Sequence, residues 1–330
     1  MATQFRIATA LCLTMASVAA LPALAQSYPN KPVKIIVPHP SGGGPVDLPA
    51  RGLAEYMTHS MGQSFIVENR DGADGYIGAE ALAKSNADGY TLGVTSASVI
   101  TMNELTRVSL PYNPSRDFAP VAYIGAIESL LLVNSGVPAK TLRELLDLAR
   151  AKPATVTWGT LGTTSNGPLL IGIFKKNYGV QFYMIPYKSN IQAVQGTVAG
   201  DVNVVAYAAG GAMPFIKAGK LRPLAYTSAK RMAEFPEVPT FDEQGIKLGF
   251  KTWIGMFAPA KVPGDIVKRI NAETVKLLSD NAFVQKFLVS QGVEASDISR
   301  SSPEEFAQFI KSDRLAYEEA VKAAGIEKRP

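Results

Sequence analysis

The stretch Val33 to Asp47, VKIIVPHPSGGGPVD, restricts the fold more than any other part of the chain. Val33, Ile35, Ile36 and Val37 form an apolar, β-branched run of the kind buried in a parallel strand. Pro38 ends the run because it has no N–H to give a ladder, and Pro40 keeps the chain extended. Ser41, Gly42, Gly43 and Gly44 follow. Pro45 then suits the first turn of a helix, whose pattern continues through Val46, Leu48, Leu53 and Met57. A strand feeding a glycine loop and a helix N-terminus turns bare backbone N–H groups and the positive end of the helix dipole toward one point. The loop lacks the G-x-G-x-x-G spacing of a dinucleotide site and the Gly-Lys-Ser/Thr ending of a phosphate loop. Two readings stay open: a tight βα turn with no ligand, or a cradle of main-chain donors for a carboxylate or similar anion.

Residues 1–25 read as a leader. Arg6 is the only charge there, residues 7–21 are apolar, and Ala23-Leu24-Ala25 is a small-x-small cleavage signature. Export to the periplasm of a Gram-negative host is expected, with a mature chain from Gln26 to Pro330. The single cysteine, Cys12, falls within the leader. A mature chain without cysteine has no disulfide, thiol nucleophile or thiolate metal site. The 33 basic and 28 acidic residues give a net charge of +5, which is mild and dispersed. Pairs such as Lys175-Lys176 and Lys230-Arg231 read as solvated faces, so no nucleic-acid partner is expected.

Strands and helices alternate along most of the chain. Strands are expected at 33–37, 65–67, 90–95, 121–127, 130–133, 156–158, 184–185, 202–206, 221–227 and 252–258. Helices are expected from Pro45, over 76–84, after Thr141, through Phe174, from Ile191, over 263–278 and over 303–324. A second small-residue loop, Gly159 to Gly167, also runs into a helix. This βα rhythm predicts an α/β protein with mostly parallel sheets, whose ligands lie beyond the carboxyl ends of the strands. The length suits two lobes, each with its own core.

Enzyme motifs are absent. The two histidines, His39 and His59, lack metal-ligand spacing, and no G-x-S-x-G occurs. Tyr226 and Lys230 copy a dehydrogenase spacing without the nucleotide loop it requires. A binding protein without metal or cofactor is expected, not an enzyme.

Several segments resemble the tripartite tricarboxylate transporter receptors, or Bug proteins: Tyr28-Pro29-Asn30-Lys31-Pro32-Val33, Val67-Glu68-Asn69-Arg70, Asp88-Gly89-Tyr90-Thr91-Leu92 and Asp117-Phe118-Ala119-Pro120-Val121. So do Pro186-Tyr187-Lys188, Gly219 to Ala225 and Val238-Pro239-Thr240. The resemblance implies a two-lobed periplasmic binding protein of the Venus-flytrap, type II-like kind, with two crossing segments. Lobe one would hold 26–127 plus 251–330 and lobe two 128–250. It implies a monomer that captures a small-molecule carboxylate and hands it to the membrane subunits of a tripartite transporter. It places the carboxylate between loops matching Pro38–Asp47 and Thr160–Gly167, with further contacts at Ser96, Tyr187 and Tyr207 to Ala209. This chain has one extra glycine in the first loop, Ser189 where glycine is usual, and Tyr207 where many relatives carry aspartate.

The expected ligand contacts are therefore His39, Ser41, Gly42, Gly43, Gly44, Ser96, Thr163, Thr164, Ser165, Asn166, Tyr187, Tyr207 and Ala208. Trp158 and Phe257 join them as aromatic walls at strand ends. Tyr207 cannot carry a charge near neutral pH, so an amino acid's ammonium group would go unpaired. Two opposed anion loops between flat rings point to an aromatic dicarboxylate such as terephthalate, with an aliphatic di- or tricarboxylate as the alternative.

Overall fold

The computed structural model describes residues 28–42, 44–161 and 166–329, Asn166 by its backbone alone. Gly43, Thr163, Thr164, Ser165 and the leader lie outside the described residues, as does the side chain of Asn166. The strands are β1 (Val33–Val37), β2 (Phe65–Asn69), β3 (Thr91–Ser96), β4 (Phe118–Ile127), β5 (Ser129–Asn134), β6 (Thr157–Leu161), β7 (Tyr183–Tyr187), β8 (Val204–Ala208), β9 (Leu221–Tyr226), β10 (Trp253–Pro259) and β11 (Val293–Glu294). The longer helices are α1 (Gly44–Met61), α2 (Tyr76–Ala83), α3 (Leu142–Ala151), α4 (Asn166–Tyr178), α5 (Asn190–Ala199), α6 (Ala209–Lys217), α7 (Gly264–Leu278) and α8 (Pro303–Ala324).

Two sheets result. One has the order β11-β4-β10-β3-β1-β2, the other β7-β6-β8-β5-β9. This is the two-lobed α/β fold of a periplasmic binding protein. The chain leaves the first sheet at Glu128 and returns to it between 227 and 252. Parallel pairing is confined to β2-β1-β3 and β7-β6-β8. The crossing strands β4, β5, β9 and β10 pair antiparallel, so each sheet is mixed and not mostly parallel. They have no βα connection to force a parallel return.

Side-chain caps mark the starts of three of these helices. Thr141 accepts a hydrogen bond from the Glu144 backbone N–H at 3.2 Å and caps α3. Ser302 and Glu305 form a reciprocal capping box at the start of α8. Ser189, where the resemblance has glycine, caps α5 through the Gln192 N–H at 3.3 Å. Helix α6 was not anticipated. Its run AGGAMPFIK carries two glycines and an internal proline, which local propensity disfavours.

Trp158 and Phe257 are core residues, not cleft walls. Trp158 is fully buried against Phe174 and Phe182, with ring centroids at 6.0 and 5.1 Å. Phe257 packs between Phe118 and Phe306. It pairs with Gly93, whereas Ile254 pairs with Ser96 at the end of β3. Strand β10 therefore presents its Trp253 end to the cleft side, and Phe257 lies deeper. A hydrophobic run read without strand direction cannot distinguish the two ends.

Candidate ligand-binding site

The sheet registers place the site. Ser129, just past the first crossing, pairs with Ala208 at the carboxyl end of β8. Ile254, just past the return, pairs with Ser96 at the carboxyl end of β3. The carboxyl ends of both parallel strand sets thus lie on the side where the chain crosses, which is where ligands of such sheets bind.

In the first lobe, β1 stops at Val37 and the chain runs through His39, Ser41 and Gly42 into α1. Gly42 and Gly44 have φ of +106° and +86°, conformations that other residues adopt only with strain. Ser41 and Gly42 are exposed. The loop is shaped by Asp47, in the first turn of α1 and only 1% exposed. Its carboxylate accepts from the Gly42 N–H (3.1 Å), Arg51 Nε (3.0 Å) and Asn69 Nδ2 (2.8 Å). Asn69 Nδ2 also donates to the His39 carbonyl at 3.0 Å, and Arg51 donates to Asn69 Oδ1 at 2.7 Å. The Gly42 N–H therefore faces Asp47 and is not offered to a ligand as the sequence reading expected. Asp47, Arg51 and Asn69 were not among the expected site residues. The i,i+4 spacing of Asp47 and Arg51 was visible, but nothing local shows that Asn69 of β2 joins them.

His39 and Ser96 do come together. Ser96, buried at the end of β3, has its Oγ 3.4 Å from His39 Nε2. Burial pushes the imidazole down to about 4, outweighing the carboxylates of Asp71 and Asp47, so the ring is neutral at pH 7. The unfolded chain takes up this proton first as pH falls, so the contribution of His39 to folded stability declines from about pH 6.5 toward about pH 4. Replacing His39 by Gln is expected to remove up to ~3 kcal/mol of that acid sensitivity. Urea unfolding at a series of pH values checks this; an unchanged profile would mean that the folded imidazole is freely hydrated.

In the second lobe, β6 ends at Leu161 and α4 begins at Asn166. Trp158 lies against the first turn of α4: a Cβ at Gly167 would stand 3.5 Å from its Nε1. Tyr187, at the end of β7, lays its ring over Gly159 and turns its hydroxyl against Gly196 of α5. It supports the sheet end and does not point its hydroxyl into the cleft. Tyr207 and Ala208 end β8, and both are half-buried. The Tyr207 ring covers Gly211 in the first turn of α6, and burial raises its phenol further above neutrality.

Between the lobes lies a buried carboxyl. Glu128 accepts from Thr227 Oγ1 at 2.5 Å, and Thr227 Oγ1 accepts from the Ser129 N–H at 2.8 Å. Burial, then the charge of Glu294, raises the Glu128 carboxyl above its usual range. Both crossing segments are thereby joined at one point.

Known proteins resemble this chain over nearly its whole length. The model of the tripartite tricarboxylate transporter family receptor matches residues 49–326. Protein BugT of Bordetella pertussis is 33% identical over 312 residues, covering 93% of each chain. An R. palustris protein, Rpa4515, solved with adipate superposes with a TM-score of 0.83 at 30% identity, covering 92% of this chain and all of that one. MatC of Rhodopseudomonas palustris with bound malate gives 0.78 at 27% identity, covering 89% and 100%.

Proposed function

Since the chain belongs to the tripartite tricarboxylate transporter receptor family, we propose that it is an exported receptor that captures a dicarboxylate between its lobes and delivers it to a membrane transporter. The observation that carries this reading is the convergence of both sets of parallel strand ends on the crossing segments. Charge-assisted hydrogen bonds contribute about 1.5–3 kcal/mol each, and micromolar affinity corresponds to about −8 kcal/mol. A few such bonds from two loops and two helix N-termini suffice, together with apolar burial. The ligand favours the closed form through its greater affinity for that form.

Asp47 is sealed by three donors and offers nothing to an ammonium group. Tyr207 stands neutral at the end of β8. An amino acid is therefore disfavoured. With Trp158 and Phe257 in the cores, only His39 and Tyr207 remain as flat surfaces for an aromatic ring. An aliphatic dicarboxylate, of the kind Rpa4515 and MatC hold, therefore stands ahead of terephthalate, which has those two rings in its favour.

Thermal-shift titration of adipate, citrate, terephthalate, benzoate and aspartate tests both. Stabilisation by adipate with little from benzoate or aspartate is expected, and terephthalate acting alone would reverse the order of the two readings. Stabilisation by aspartate alone would overturn the exclusion of an amino acid, and stabilisation by benzoate alone would overturn the dicarboxylate assignment.

A further inference from the structure

Helix α8 is held by the first lobe at both ends and touches the second lobe in a different way. Phe306, fully buried, packs on Tyr123, Trp253 and Phe257 with centroids at 5.8, 5.6 and 5.5 Å. Trp253 Nε1 donates to Asp313 at 2.6 Å, and Arg314 pairs with Glu104 at 3.0 Å. Beyond the helix, the chain turns back to the first lobe. The Arg329 N–H donates to the Thr106 carbonyl at 2.9 Å, and the Val108 N–H donates to the Arg329 carbonyl at 2.7 Å.

Against the second lobe, α8 lies along α4, the helix that begins just after the second loop. Among the described residues no hydrogen bond or ion pair joins α8 to α4, and the contact is apolar. At Gly172 an added Cβ would fall on the Cβ and Cα of Ala324. A second contact of this kind lies at the start of α6. There a Cβ on Gly210 would fall on the Ser290 carbonyl and stand 2.8 Å from the Gly292 nitrogen.

We infer that Gly172 against Ala324, a contact to which the glycine brings no side chain, sets how far the cleft can close as the second lobe turns on the first. Polar bonds fix α8 to the first lobe in one geometry. A hydrogen-bond-free contact between a glycine and a single methyl lets α4 roll on α8 without breaking a directional bond. Because the N-terminus of α4 follows the carboxyl end of β6, on the cleft side, a side chain inserted at position 172 holds that end of α4 away from the first lobe. Gly172 is thus a positioning residue that touches no ligand. The effect on ligand affinity rests on the function proposed above; the effect on lobe spacing does not.

The test uses Gly172→Val, Gly172→Ala and Ala324→Leu, which fill the contact from both sides and by different amounts. Small-angle scattering and calorimetry with adipate are measured beside thermal unfolding. Folded variants are expected to have a larger radius of gyration than the wild type, with and without adipate. They are also expected to bind at least about tenfold more weakly, equivalent to about 1.4 kcal/mol. A wild-type radius in the folded variants overturns the inference, even with weaker binding, because the effect would then lie in the site. Should the wild type bind no dicarboxylate, the function fails while the ligand-free radii still decide the spacing. If Gly172→Val does not fold, Gly172→Ala and Ala324→Leu carry the decision.

Discussion

Replacing Asp47 by Ala is expected to destabilise the protein by about 3 kcal/mol and to abolish ligand binding. The carboxylate is buried and holds the Gly42 N–H, Arg51 and Asn69 together. Its loss leaves the Gly42 N–H and the Asn69 amide without their shared acceptor, at about 1–3 kcal/mol for each group that stays buried. The Arg51 side chain, 44% exposed, regains water. Arg51→Ala is the converse: it leaves a buried carboxylate without its cation, which costs roughly 3–5 kcal/mol. The Gly42 and Asn69 bonds to that carboxylate still hold the loop. Binding therefore separates loop shaping from loss of an ion pair: Arg51→Ala is expected to keep adipate binding where Asp47→Ala loses it. Denaturant unfolding of the two variants, with adipate calorimetry, measures both. An Asp47→Ala protein that binds normally would show that the carboxylate does not set the loop.

The second large effect concerns Asp313. Its carboxyl is 7% exposed, and burial pushes it up to about 6 despite the Trp253 hydrogen bond and the nearby Lys251. The folded state therefore holds this proton more tightly than the unfolded chain. Stability relative to a variant without the group is full below about pH 4 and falls as pH rises to about 6. The stability of the wild type minus that of Asp313→Asn is expected to drop by about 3 kcal/mol across that window. Whatever fixed cost the amide brings cancels in the difference. Parallel pH profiles for the two proteins would show that Asp313 is ionised in the folded state throughout. His39 titrates with the opposite sign over an overlapping range, so the wild type alone would show a shallow curve and hide both groups.

The sequence by itself determined most of the elements and their order, α6 and β11 excepted, because the signals for them are local. Strand β1 follows from a β-branched run ended by Pro38, α3 and α8 from their caps, and the turn at Gly42 and Gly44 from the positive φ that glycine tolerates. His39 and Ser96 could each be named as site residues because they lie at or just past the carboxyl end of a strand; that β1 and β3 are adjacent, and so bring the two together, is a fact of the sheet. Tertiary structure alone decided which way side chains at those ends point. Trp158 and Phe257 lie in the cores because register places them back from the cleft. Tyr187 turns its hydroxyl onto Gly196, nine residues further along the chain. The Asp47–Asn69 bond, the Glu128–Thr227 junction and the meeting of Gly172 with Ala324 join residues 22, 99 and 152 positions apart. No local propensity encodes contacts of that separation; they exist only once the two sheets and α8 have packed.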